Sequence, residues 1–185
     1  MIKSIKLLLI SLFFAVFNLN SDITTFEYKG QSITINWRAY QNNKVDITLM
    51  VNNMTAGKLY ASEIDKELNW YYIEHLFIEP SYRENGYVKL LSKLIFTKFA
   101  QNGAKKIFCE PNPIEKAEFA FVSFNRLKDE ERELKLPKLK KLYQYLGFIE
   151  CDKELTNEFE KLTNSSSNNL MVYDVDANLA IKGKL

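Results

Sequence analysis

Arg83 and Gly86 are the residues whose type and spacing first suggest chemistry. They lie in residues 76–88, LFIEPSYRENGYV, where an apolar run turns polar at Glu79 and Pro80 before a helical pattern begins. A helix start offers unpaired backbone amides and a partial positive field, which is what a phosphate or pyrophosphate needs. Gly86 would let such a ligand approach the backbone closely, and Arg83 would either add a cationic contact or brace the turn. An ordinary strand-to-helix connection would read the same way on this stretch alone.

The elements needed to position that turn are visible around it. Residues 32–35, 45–51, 55–61 and 70–78 are rich in β-branched or alternating apolar positions and read as strands. Asn42, Asn43, Asn52 and Asn53 supply turns beside the second of these. After Pro80, Val88, Leu91, Leu94, Ile95, Phe96 and Phe99 recur at helical spacing, and Asn102 and Gly103 supply the terminus. Residues 104–110 return to strand character around Ile107, Phe108 and Cys109. The charged stretch 114–141 reads as one or two amphipathic helices around an excursion at 128–135, with an apolar group at Phe119, Phe121, Val122, Phe124 and Leu127. Pro137 suits the first turn of a further helix through Leu139, Leu142, Tyr143 and Leu146, closed by Gly147 and Phe148. Residues 170–175 form the last expected strand.

With this order in view the sequence resembles the GCN5-related N-acetyltransferase (GNAT) superfamily. Its signature is Arg or Gln, two residues, Gly, one residue, then Gly or Ala; here Arg83 and Gly86 match and Val88 departs from the last position. The family's Leu-x-Val-x-Pro lead corresponds to Leu76, Ile78 and Pro80. Asn102 to Ile107 resembles the turn into its fifth strand, and Leu142, Tyr143, Gly147 and Phe148 resemble its Leu-Tyr-x-x-x-Gly-Phe segment. The resemblance spans about residues 32–175 and implies an α/β fold with a mixed, mainly antiparallel sheet flanked by helices and splayed at the acyl-CoA site.

The resemblance also implies an activity: acetyl transfer from acetyl-CoA, acting as donor substrate, to an amine acceptor of unknown identity, without a metal. Backbone groups of Leu76, Phe77 and Ile78 would pair with the pantetheine arm, and amides around Arg83, Asn85, Gly86, Tyr87 and Val88 would receive the pyrophosphate. Asn112 stands where the family has an asparagine that contacts pantetheine or orders the loop. Tyr143 stands where the family has the tyrosine that protonates the departing thiolate, with Tyr145 as a substitute. A thioester is already activated, so an aligned neutral amine needs only a base and a proton for the leaving group. Glu74, Glu110 and His75, on the strands expected to flank the cleft, are the candidates for the base or the amine-binding group. On an unbulged strand Glu74 shares the face of Leu76 and Ile78, and His75 that of Phe77.

Composition bounds these readings. A chain of 185 residues, 46% apolar and 26% charged, supports one globular domain, and 14% aromatic content excludes a disordered tail. With 25 basic and 23 acidic residues the net charge is only +2, and Lys138, Lys140 and Lys141 are offset by Glu130, Glu131 and Glu133, so nucleic acid is not an expected partner. Cys109 and Cys151 are expected to be free thiols rather than a disulfide. Residues 1–21 have a basic lead and an apolar run at 7–17, the pattern of a secretory signal; an uncleaved anchor, which would be the one membrane contact, and a buried segment are the other readings. Residues 22–185 are then the GNAT-like domain. Secretion or periplasmic export would follow from a genuine signal, and a cytoplasmic location otherwise. The competing function is a catalytically inactive GNAT-like binding or interaction domain, for which Val88 in the turn is the main argument.

Overall fold

A computed structural model describes residues 22–40, 43–112, 114–118, 123–126 and 129–182. The expected signal segment, the turn at Asn42 and most of the apolar group at 119–127 lie outside them. Among the described residues ten strands and four α-helices follow in chain order. They are β1 (Asp22–Tyr28), β2 (Gln31–Ala39), β3 (Lys44–Val51), β4 (Met54–Asp65), β5 (Trp70–Ile78), α1 (Tyr87–Gln101), β6 (Lys106–Cys109), β7 (Ile114–Glu118), β8 (Ser123–Arg126), α2 (Asp129–Tyr145), β9 (Ile149–Glu150), α3 (Lys153–Thr163), β10 (Met171–Asp174) and α4 (Val175–Lys182).

The first five strands form a meander, each antiparallel to its predecessor, and the main sheet runs β1-β2-β3-β4-β5-β6-β10-β9. Only β5 and β6 are parallel, because α1 carries the chain back across the sheet between them. Strict alternation sets the faces of β3: Val45, Ile47, Leu49 and Val51 are buried and the residues between them are not. Those side chains meet Leu91, Ile95, Phe96 and Phe99 of α1 in the main core, which Tyr143 of α2 and Phe148 also enter. A smaller cluster forms on the opposite face, where Phe159 of α3 joins Trp70, Phe108, Leu170 and Val172. The two cysteines are free, Cys109 in the main core and Cys151 against the smaller one.

The sheet, the helix after Pro80 and the strand around Ile107 follow the sequence expectation, while three regions differ. Where helix was expected, β7 and β8 pair as antiparallel strands. Glu, Lys and Ala favour helix by propensity, but pairing decides for segments of four or five residues, which are too short to show a period. Residues 129–135 of the charged excursion are helical, and Pro137 lies inside α2 rather than in a first turn. Acidic residues 129–131 suit a helix start, and Glu131 stands four residues before Lys135 on one helix face. Finally β1, β9, α3 and α4 were not anticipated. Helix α3 has a clear start, since Asp152 accepts from the Leu155 amide at 2.8 Å, and its end, Asn164, has a left-handed φ of 52°.

Candidate active site

The site is built around a change in the pairing of β5. On one side the strand is bonded to β4 from Trp70 to Ile78. On the other it is bonded to β6 only from Trp70↔Lys106 to Ile73↔Cys109. Beyond that rung Glu74 to Ile78 have no ladder partner on the β6 side among the described residues, and β6 itself ends at Cys109. Glu74 and Glu110 are the first residues past the last rung, one on each strand.

Two bulges lie near this point. In β4 the register shifts between Leu49 and Met50 of β3, leaving Ala56 as an extra residue. In β5 it shifts between Tyr60 and Ala61 of β4, leaving Glu74 extra. A bulge bends its strand and raises the local twist, so the second half of β5 departs from a regular strand path. Gly57 keeps the bent segment close, since a Cβ there would lie 2.7 Å from the Phe77 carbonyl oxygen and 2.6 Å from Ile78 Cδ1. The Glu74 bulge also corrects the expected parity. Ile73, Leu76 and Ile78 all meet the main core, whereas Glu74 stands as the unpaired residue with its carboxylate 3.8 Å from Lys44 Nζ. His75 and Phe77 do share the other face, where the His75 ring stands edge-on to Tyr60.

The strand then feeds a 3-10 turn at Pro80–Tyr82 and the start of α1. Gly86 is the N-cap, with φ 82°, and offers no side-chain acceptor; the first helical bond runs from the Leu90 amide to its carbonyl at 3.1 Å. The amides of Tyr87, Val88 and Lys89 therefore have no acceptor within the helix. The side chains beside them are otherwise engaged. Tyr87 is buried, donates to Gln31 Oε1, and packs against the rings of Tyr28 and Tyr82. Val88 packs against the main core, so its branched side chain is anchored there. Arg83 braces the turn: Nε donates to the Ile78 carbonyl at 2.9 Å and the guanidinium lies over the Phe77 ring. Asn85 Nδ2 donates to the Arg83 carbonyl at 3.1 Å.

Tyr143 is buried beside Cys109 and Tyr72, near the last rungs between β5 and β6. It is 7% exposed, stands edge-on to Phe148, and its carbonyl accepts from the Phe148 amide at 3.0 Å. The Gly147 and Phe148 turn thus locks the end of α2 in place. Burial pushes the Tyr143 phenol well above its ordinary value of 10.0, and the neighbouring Cys109 thiol and Tyr72 phenol add to this. Tyr72, one rung before the last, is pushed up to about 12 by burial and then by Glu110, Cys109 and Glu74. The seam therefore ends in two protonated phenols with a carboxylate on either strand. The His75 imidazole is lowered from 6.5 by burial, against a smaller opposing pull from Glu74.

Glu74 and Glu110 both act on the Tyr72 phenol, which in turn neighbours Tyr143, while Leu76, Phe77 and Ile78 follow on the part of β5 that has no ladder partner on the β6 side among the described residues. Asn112 is exposed just beyond β6, and Tyr145 is exposed and accepts from Lys89 Nζ at 2.7 Å. Sequence reasoning passed over Tyr72 and the β1–β2 turn at Lys29 and Gly30, whose Lys29 Nζ donates to the Asn85 carbonyl at 3.1 Å. The signal for that turn was present, as Lys29 and Gly30 separate two alternating segments.

Comparison with known proteins bears on the family and the fold. The family described as "Acetyltransferase (GNAT) family" matches residues 13–120. Among solved structures, a GNAT-family acetyltransferase from Staphylococcus aureus Mu50 superposes with a TM-score of 0.53 at 12% identity, covering 74% of this chain and 71% of that one. The ribosomal-protein-S18-alanine N-acetyltransferase from Escherichia coli gives 0.46 at 14% identity, over 74% and 72% of the two chains. The PaiA N-acetyltransferase from Thermoplasma acidophilum, solved in complex with coenzyme A, gives 0.47 at 11%, over 71% and 61%. A search of the curated proteins finds no match. The chain belongs to the GNAT family of acetyltransferases.

Proposed function

We propose that the chain transfers an acetyl group from acetyl-CoA to a primary amine. The observation that carries this reading is the loss of β6 as a partner of β5 immediately after Ile73↔Cys109, with the freed strand running on into an uncapped helix start. An extended amide-bearing arm can pair with the open edge at Leu76 and Phe77 while a pyrophosphate accepts from the amides of Tyr87, Val88 and Lys89. The Ile78 carbonyl already accepts from Arg83, so the pairing falls on the residues before it.

The reaction requires a neutral amine beside the thioester carbonyl. Glu74 and Glu110 flank the point where the arm would end, and they attract the ammonium and take its proton directly or through water. A carbon–nitrogen bond then forms as the carbon–sulfur bond breaks, and the Tyr143 phenol gives its proton to the leaving thiolate. A phenol kept protonated by burial is suited to that task at neutral pH.

Calorimetric titration of the full chain with acetyl-CoA and with desulfo-CoA, followed by thiol release with a panel of primary amines, tests the reading. Binding of both, with turnover that Tyr143→Phe suppresses, is expected. A folded protein that binds neither would overturn it in favour of a non-catalytic binding domain.

A further inference from the structure

We infer that Lys29, at the tip of the β1–β2 hairpin, is a positioning residue for the acyl substrate and supplies the side-chain cation for its phosphates. The inference rests on the acetyl-CoA reading above. It begins from Arg83, the motif's own cation, whose Nε is held by the Ile78 carbonyl and whose guanidinium lies 5.5 Å from the Phe77 ring centroid. That side chain braces the strand-to-helix turn.

Lys29 approaches the same turn from the opposite wall. The two-residue loop between Tyr28 and Gln31 has left-handed φ at both positions, 52° at Lys29 and 74° at Gly30, as tight hairpins require. The loop is held against α1 because Tyr87 donates to Gln31 and stacks near Tyr28. From there Lys29 Nζ donates to the Asn85 carbonyl at 3.1 Å and lies 3.9 Å from the point a Cβ on Gly86 would occupy. An ammonium has three donors, so the bond to Asn85 leaves two.

The partners of Lys29 there are the uncharged Asn85 carbonyl and the face of the Tyr28 ring, 5.4 Å from Nζ, so no anion offsets its charge among the described residues. The N-terminal end of a helix is itself positive, so a lysine placed there is repelled. The first turn of α1 holds no acidic residue, Gly86 supplies no side-chain acceptor, and Lys89 adds another positive charge; Glu79 and Glu84 lie before the cap. Among the described residues Lys29 makes no salt bridge. A dianionic phosphate group between the amides of α1 and the Lys29 ammonium relieves all of these charges together.

The test compares ligands with and without phosphates on the full chain. Lys29→Ala is expected to weaken CoA binding about tenfold and to leave turnover of S-acetylpantetheine, which carries no phosphate, unchanged. Lys29→Arg should restore most of the CoA affinity. Equal CoA binding by Lys29→Ala and wild type would overturn the inference, and so would a parallel loss toward CoA and S-acetylpantetheine, which would mean the residue only supports the fold. Failure of the wild-type chain to bind CoA would instead remove the acetyl-CoA reading and this inference with it.

Discussion

The two edges of β5 behave as though they belonged to different strands. Toward β4 the backbone is bonded through Ile78, with Leu59 opposite Leu76 and Gly57 opposite Ile78. Toward β6 it is bonded for four rungs and then left open. An open edge is ordinarily a liability, because its unpaired amides and carbonyls can recruit another strand. In a fold that must hold an extended amide-bearing substrate, the same exposure is the recognition surface. The closed edge fixes where the open one lies, so stability and binding should separate cleanly between the two sides.

The largest expected effect lies on the open side. Tyr143→Phe should lower kcat by about 100-fold in a thiol-release assay while leaving CoA affinity in calorimetry intact, since only the proton is removed. An equal loss of binding would show that the phenol merely packs the end of α2. Next comes an attack on the closed side. Gly57→Ala would place a Cβ against the Phe77 carbonyl oxygen and Ile78 Cδ1, at 2.7 and 2.6 Å. Overpacking of that kind should cost about 1–3 kcal/mol in urea denaturation, and CoA affinity should fall as well, because the open edge moves with the closed one. A destabilised variant with unchanged affinity would break the proposed dependence of one edge on the other.

Gly86→Asp should do nearly the reverse. The nearest atom to an added Cβ is Tyr28 Oη at 3.5 Å, an ordinary contact, so the fold loses only the left-handed backbone preference, about 1 kcal/mol. Aspartate is a good N-cap, which offsets part of that, but its carboxylate should repel the phosphates and weaken CoA binding about tenfold. The smallest effect is a pH dependence from His75. Burial lowers its pKa below 6.5 in the folded chain, so the unfolded chain takes up the proton first. Its contribution to stability is complete above about pH 6.5 and is lost as the pH falls through the folded value. His75→Gln should flatten the slope of urea midpoints between neutral and mildly acidic pH.

Much of this geometry was legible in the sequence. Residues 70–78 read as a strand because aromatic and branched side chains crowd it, and Gly103 marked the end of α1 because its φ of 87° is one that glycine adopts freely. The motif around Arg83 and Gly86 located the helix start. The bulge at Glu74 was not legible, because one added residue changes which side chains share a face without changing the composition of the strand. The bracing role of Arg83 depended on where the Ile78 carbonyl points, and Lys29 on a contact between residues 56 positions apart. Helix α3 was overlooked because Leu155 and Phe159 are its main apolar contacts in a polar segment, although Asp152 announces its start.

The seam also bears on the order in which the molecule can assemble. The meander from β1 to β5 is made of hairpins between neighbours in sequence, contacts that close small loops and form quickly. Strand β6 has no such neighbour. It pairs with β5 only across the whole of α1, and with β10 only after the β7–β8 hairpin, α2 and α3 have been accommodated. The seam therefore comes into being last, when the C-terminal strand arrives to hold β6 in place, and a chain interrupted before Met171 would lack that support even with its meander complete.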